Sequence, residues 1–141
     1  ASGRWPGFSE RFLAAIDAHD GRVLHRVALP AGHHELAFSE DSRLLYVTSR
    51  DSGRMTVVET ASGRIRSEVE LGGQPLSLLA LPGRDAVWAV DGAQGIVHRF
   101  DGEGRQRDRI ALDPGLGPAR LSPDGRHVLL VNPVQHRLYV L

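Results

Sequence analysis

The strongest constraint on this chain is that it repeats itself. Gly21 in DAHDGR, Gly63 in TASGR and Gly104 in DGEGR stand 42 and then 41 residues apart. A second marker follows each glycine, in PAGHH, GGQP and GLGP, and a third comes after it, in SEDSR, LPGRD and SPDGR. Markers that keep phase over three copies imply stacked units, each of which buries its apolar faces only against a neighbour.

Within a period the apolar residues cluster at strand spacing rather than helix spacing. RLLYVTS, DAVWAVD and RHVLLVN are short runs rich in β-branched and aromatic residues, bounded by Gly, Asp, Ser or Pro. RMTVVE, IVHRFD and HRLYVL form a second set, and RIRSEVEL and RQRDRIAL alternate polar with apolar. Ser-Gly, Asp-Gly and Pro-Asp-Gly sit between them and supply the backbone angles of tight hairpins. Each period therefore predicts four antiparallel strands. The first, near 34–39, 76–81 and 119–122, is innermost; the fourth is a charge-studded outer edge that discourages stray pairing. Residues 11–17 contain FLAAI, which reads as a possible helix start, but Ile16-Asp17 align with Val58-Glu59 and Phe100-Asp101 and predict a third-position strand.

Four-stranded antiparallel units every 40 to 45 residues predict an all-β fold of β-propeller blades. The expected organisation is an N-terminal extension at 1–10, a partial blade at 11–32, blades at 33–75 and 76–118, and a partial blade at 119–141. That amounts to about three blades, an incomplete ring or part of a larger propeller. Residues 22–29 could supply the strand that the last unit lacks by pairing with it, or two or more copies could complete a ring as a homo-oligomer.

Composition removes several chemistries. Seventeen basic residues balance seventeen acidic ones among 141, so no global charge draws the chain to nucleic acid. Every basic residue is arginine and there is no cysteine, which excludes Schiff-base lysines, thiolate nucleophiles and cysteine-based zinc sites. No apolar run approaches the roughly 20 residues that span a bilayer. The sequence opens with ASGRWPG, which reads either as a mature product of signal cleavage or as a simple cut edge; a periplasmic or extracellular location is the expectation, with the cytoplasm open.

The stretch SRLLYVTS…GRMTVVETASGRIRSEVELGGQP resembles the YVTN repeat family, whose blades read roughly SPDGRRLYVTN…VSVIDTATGKV…VPVGxxP. The resemblance spans about residues 11 to 141 and implies the propeller fold; it departs at SEDSR and at the short loop of the second copy. A fainter, local resemblance links HHELAFSEDSRLLYVTSRDSG to the propeller domains of cytochrome-type nitrite reductases and a related haem-maturation protein. It implies haem contact at His33 or His34, with no basis for choosing between them.

Read as residues alone, His33 and His34 sit at the handover from one blade to the next, beside the mouth of the central axis, where ligands collect. Adjacent strand residues point to opposite faces, so the pair does not easily chelate one metal, and no metal site is expected. Arg50, in the loop TSRDSG on the same face, is placed to meet an anion such as a carboxylate or a haem propionate. His19, His25, His98, His127 and His136 are scattered in phase and read as surface or hydrogen-bonded filler. Tyr46, Trp88 and Tyr139 read as packing between blades. Asp17, Glu59 and Asp101 recur at one phase and read as caps of the hairpin between third and fourth strands. No Gly-x-Ser-x-Gly elbow and no Gly-x-Gly-x-x-Gly fingerprint occurs, so no catalytic set is expected.

Three functions follow as expectations. The first is a non-enzymatic propeller module that binds a protein or small ligand at its face. The second is a periplasmic propeller that handles haem or another redox cofactor through His33 or His34. The third is a self-assembling structural fragment with no ligand.

Overall fold

The structure, a computed structural model, describes residues 11–29 and 34–141. The expected extension at 1–10 and His33 lie outside those residues. Among the described residues all regular structure is β. A first sheet pairs β1 (Arg11–Ile16) with β2 (Val23–Leu29). A second holds β3 (His34–Phe38), β4 (Leu44–Ser49), β5 (Arg54–Glu59) and β6 (Ile65–Glu70) in that order. A third repeats the pattern with β7 (Pro75–Leu81), β8 (Ala86–Asp91), β9 (Ile96–Asp101) and β10 (Gln106–Ala111). The fourth has β11 (Arg120–Leu121), β12 (Val128–Asn132) and β13 (Arg137–Val140). Every pairing is antiparallel.

The sheets stack face to face in chain order. Leu44, Tyr46, Met55 and Val57 of the second sheet meet Leu78, Val87, Ala89 and Phe100 of the third. The other face of the third sheet, with Trp88, Val90 and Val97, meets Val128 and Leu130 of the fourth. Leu13 and Val27 of the first sheet pack on Leu45, Val47 and Val58 of the second. Because β4 lies between two sheets, all six of its residues are buried, and so it reads as a continuous apolar run rather than an alternating one. The innermost strands β3, β7 and β11 draw together near the axis, whereas β6 and β10 lie at the outer edge. These are blades of a β-propeller.

The repeat reaches into backbone detail. The hairpin between third and fourth strands carries a β-bulge at one phase in three sheets: between Ala15 and Ile16, between Val57 and Val58, and opposite Arg99 and Phe100. Each bulge adds a residue on the fourth strand and increases the local twist. The turn glycines that mark the period, Gly21, Gly63 and Gly104, all adopt left-handed φ of 76°, 74° and 84°, a conformation that side chains resist. Gly63 has a second constraint: a Cβ there would stand 2.8 Å from Cγ of His25.

The ring is not closed. The pairing of residues 22–29 with the last unit does not occur: among the described residues β2 pairs only with β1, and β13 pairs only with β12. The β1–β2 bulge keeps the third-to-fourth hairpin geometry of the other sheets, so β2 is already committed as the outer strand of the first sheet. The outward face of the fourth sheet consequently leaves Val131, Leu138 and Val140 exposed.

Candidate functional site

The end of β4 nearest the axis gathers polar atoms that have lost water without gaining a partner. His34 pairs with Ser49 across the β3–β4 ladder. His34 Nε2, Thr48 Oγ1, Ser49 Oγ and Arg50 Nε are all buried and make no hydrogen bond. Thr48 and Ser49 are buried as whole residues, while His34 and Arg50 are half-buried. A buried polar group left unmade costs about 1–3 kcal/mol, so four at one corner is a concentration that calls for an explanation.

The equivalent corners of the next two sheets are bonded more fully: Asn132 is satisfied, and Asp91 leaves only Oδ2 without a partner. Ser49, Asp91 and Asn132 share one phase at the ends of β4, β8 and β12. Asp91 Oδ1 accepts N–H bonds from Gln74, Ala93 and Gln94 at 3.0, 3.0 and 3.1 Å. Asn132 donates through Nδ2 to the carbonyls of Asp113 and Pro114 at 3.2 and 2.9 Å and accepts from the Gln135 N–H at 3.0 Å. These side chains lock the loops that join one sheet to the next. The signal for them was present in the sequence as a small polar residue ending every second strand.

Arg50 and His34 are neighbours along the corner but serve different faces. Arg50 lines a groove of about 240 Å3 along the innermost strands, with Glu35 on β3, Leu76, Ser77 and Leu79 on β7, and Arg120 on β11. His34 is not part of that lining. The pleat accounts for this, because Glu35 points toward the third sheet and His34, two residues before Leu36, points toward the first. Ser77 Oγ also accepts the Ala119 N–H at 3.0 Å, tying β7 to the approach of β11. With two guanidinium groups against one carboxylate, the groove favours an anionic group.

The remaining candidates make local bonds. His98 is buried on β9, its Nδ1 accepts from Gln106 Nε2 at 3.1 Å while its Nε2 has no partner, and burial holds its pKa below the ordinary imidazole value. His25 lies 3.0 Å from the Ala61 carbonyl through Nε2. Tyr46 donates its hydroxyl to the Asp101 carbonyl in the third sheet at 2.9 Å. Trp88 lies under the Arg99 guanidinium, 5.6 Å from its ring centre, and Arg99 in turn pairs with Asp108. The Tyr139 hydroxyl bonds the Asp113 carboxylate, which Arg137 also meets at 2.7 Å. Both contacts hold the Asp113 carboxyl below the ordinary range, the tyrosine more than the arginine. Asp17 and Asp101 cap their turns by accepting backbone N–H groups, whereas the longer Glu59 reaches the Ser62 hydroxyl instead. Among the described residues no group of three or more His, Asp or Glu side chains has the geometry to hold a metal ion.

No family model matches the chain. No curated protein matches it either. Solved structures do. Hydrazine synthase of Kuenenia stuttgartiensis superposes with a TM-score of 0.71 at 19% identity, over 92% of this chain and 43% of that one. BamB from Moraxella catarrhalis gives 0.73 at 17% identity, over 92% and 37%. A chain of the mitotic checkpoint complex gives 0.70 at 18% identity, over 94% and 46%. The chain thus spans less than half the length of each of these three structures. At these identities the likeness is one of fold, and it is the fold already visible in the stacked sheets: blades of a β-propeller.

Proposed function

We propose that this protein is a non-enzymatic β-propeller module that binds a partner polypeptide at its axial mouth, with an acidic side chain of the partner seated on Arg50. The observation that carries this reading is the buried, unpartnered Nε of Arg50, beside the equally unpartnered Thr48 Oγ1, at the mouth of a groove lined by a second arginine. A carboxylate arriving beside Arg50 would give its Nε an acceptor and make a charge-assisted hydrogen bond, the stronger kind. The groove's size supports a side chain rather than a free metabolite: about 240 Å3 lies below the roughly 300–1,000 Å3 of small-molecule pockets. The test is calorimetric titration with an acetylated, amidated peptide rich in glutamate, against the same peptide with glutamine. Binding of the glutamate peptide alone, weakened by salt and removed by Arg50→Ala, is the expected result. Equal affinity for both peptides, or binding that survives Arg50→Ala, overturns it.

A second reading is favoured by one atom, the buried and unpartnered Nε2 of His34. It makes the protein a periplasmic carrier or binder of haem, with His34 as axial ligand; His33 is the alternative from the sequence resemblance. Bound haem would supply redox or transfer chemistry, and the chain would supply the ligating nitrogen and an apolar sheet face. Arg50 faces the other way and does not belong to this reading. Titration with haem distinguishes it: a Soret shift that disappears in the His33→Ala, His34→Ala double variant supports it, and a spectrum indifferent to that change removes it.

A further inference from the structure

One imidazole is sealed inside the joint between the second and third sheets, both of which carry four strands. His98 is 4% exposed, and no other histidine among the described residues is buried. The pleat gives its direction: Val97 meets the fourth sheet and Phe100 the second, so His98 faces the second. By the same alternation Val90 meets the fourth sheet and Ala89 the second, which turns Asp91 to the side of His98. The two are diagonal neighbours across the ladder, with His98 opposite Ala89 and Ile96 opposite Asp91.

His98 Nδ1 accepts from Gln106 Nε2 at 3.1 Å, so the neutral ring carries its proton on Nε2. That Nε2 and Asp91 Oδ2 are both buried and unpartnered. A donor and an acceptor thus face one seam without meeting. A second proton has one place to go, Nδ1, where it sets donor against donor at Gln106. It also places a full charge where burial penalises charge. Asp91 on β8 opposes that penalty, and Arg109, directly across from His98 on β10, adds to it. From the second sheet Met55, Val57, Val69 and Leu71 line the joint and bring no charge. Glu35 and Arg50 lie at its axial end. At the far end Glu103 takes up Arg43 and Arg66, and Asp85 and Asp101 lie by Tyr46.

We infer that His98 makes the joint between the second and third sheets acid-sensitive: the ring is neutral while the joint is closed, and a proton taken from solvent at Nδ1 loosens it. Burial, which outweighs the pull of Asp91, holds the folded ring below the ordinary 6.5. The unfolded chain therefore takes this proton first as pH falls, so the contribution to stability is full above about pH 6.5 and is lost below it. Asp91 couples the ring to the loops beside the joint. Its Oδ1 holds the N–H groups of Gln74, Ala93 and Gln94, and a charged imidazole competes for the same carboxylate. The device belongs to the joint and holds whether or not Arg50 receives a partner.

The first test uses the unaltered chain. Its His98 ring, assigned through its own backbone in proton NMR, is expected to titrate with a midpoint below 6.5. In urea, the unfolding equilibrium constant is expected to rise between about pH 7.5 and pH 5.5, by a factor at least threefold greater in the parent than in His98→Gln; about tenfold is the ceiling for one proton. Hydrogen exchange at the Gln74 and Gln94 amides, corrected for the intrinsic effect of pH, is expected to quicken over the same interval in the parent and not in the variant. A midpoint at or above 6.5 overturns the inference, as does an equal pH dependence of unfolding in parent and His98→Gln. Unchanged exchange at both amides of the parent also overturns it, because the proton would then act away from the joint. The midpoint and the exchange are read on the parent, so they decide the matter even where the variant fails to fold.

Discussion

Replacing Asp91 with alanine removes, in one step, the acceptor for three backbone N–H groups at the end of β8. Oδ1 bonds Gln74, Ala93 and Gln94 at 3.0, 3.0 and 3.1 Å, and the side chain is fully buried. Hydrogen bonds to a charged acceptor contribute about 1.5–3 kcal/mol each when nothing replaces them. Gln74, Ala93 and Gln94 are exposed, however, so water recovers part of the loss. A net cost of about 1 kcal/mol per bond gives roughly 2–4 kcal/mol in total. For a chain of this size each kcal/mol lowers Tm by about 3 °C, so the expected drop is about 6–12 °C. Asp91→Asn is the control: it keeps Oδ1 and replaces Oδ2 with a donor, as Asn132 does at the same phase with the carbonyls of Asp113 and Pro114. It is expected to stay within about 1 kcal/mol of the parent, because Oδ1 keeps its three N–H donors while the charge shared with the buried, unpartnered Oδ2 is removed. Urea unfolding followed by circular dichroism measures both. An alanine variant within 1 kcal/mol of the parent, or an asparagine variant as damaged as alanine, would refute the claim that this residue locks the loop between sheets.

Two further outcomes follow from buried contacts. Burial, and after it the charges of Asp101 and Asp85, push the Tyr46 phenol up from 10.0 to about 12. The folded state therefore keeps a proton that the unfolded chain loses, and stability is expected to fall by on the order of 2 kcal/mol between about pH 10 and pH 12; Tyr46→Phe should cost about 1 kcal/mol at neutral pH and flatten that alkaline slope in urea titrations. Gly92→Ala would place a Cβ 2.6 Å from the Leu116 carbonyl oxygen, a backbone atom held by the Leu116 N–H bond to the Gly92 carbonyl, and a loss of about 1–3 kcal/mol is expected in the same assay.

What could be read from the sequence was whatever depends on phase. The turn glycines, the strand positions and the alignment of Ile16 with Val58 and Phe100 all follow from the period, since each repeat solves the same local problem with the same residues. The β1 segment shows this well: FLAAI by itself suits a helix, and only its distance from VVE and RFD makes it a strand. What depends on neighbours in space was not readable. Leu36 and Leu78 are the same residue at the same phase, yet one is exposed and the other buried, because a four-stranded sheet faces Leu78 whereas among the described residues a two-stranded one faces Leu36. Arg50 and His34 lie close along the chain, but the pleat sends them to opposite sides of the sheet, so a site imagined as one became two. Ser49, Asp91 and Asn132 were overlooked as a series because their importance lies in loop N–H and carbonyl groups that carry no letter in the sequence.

Packing that runs from each sheet to the next and no further gives the chain a direction of failure. Among the described residues an interior blade is gripped on both sides and an outer one on a single side, and the β1–β2 ribbon is gripped least, through Leu13, Val27 and Leu29. Melting should therefore begin there and travel inward blade by blade, as it does in linear arrays whose stability is a sum of nearest-neighbour couplings. By the same logic a lineage could gain or drop one whole period of this sequence and still present matched surfaces at the new seam, so blade number is a quantity that heredity can count up or down without redesigning any single blade.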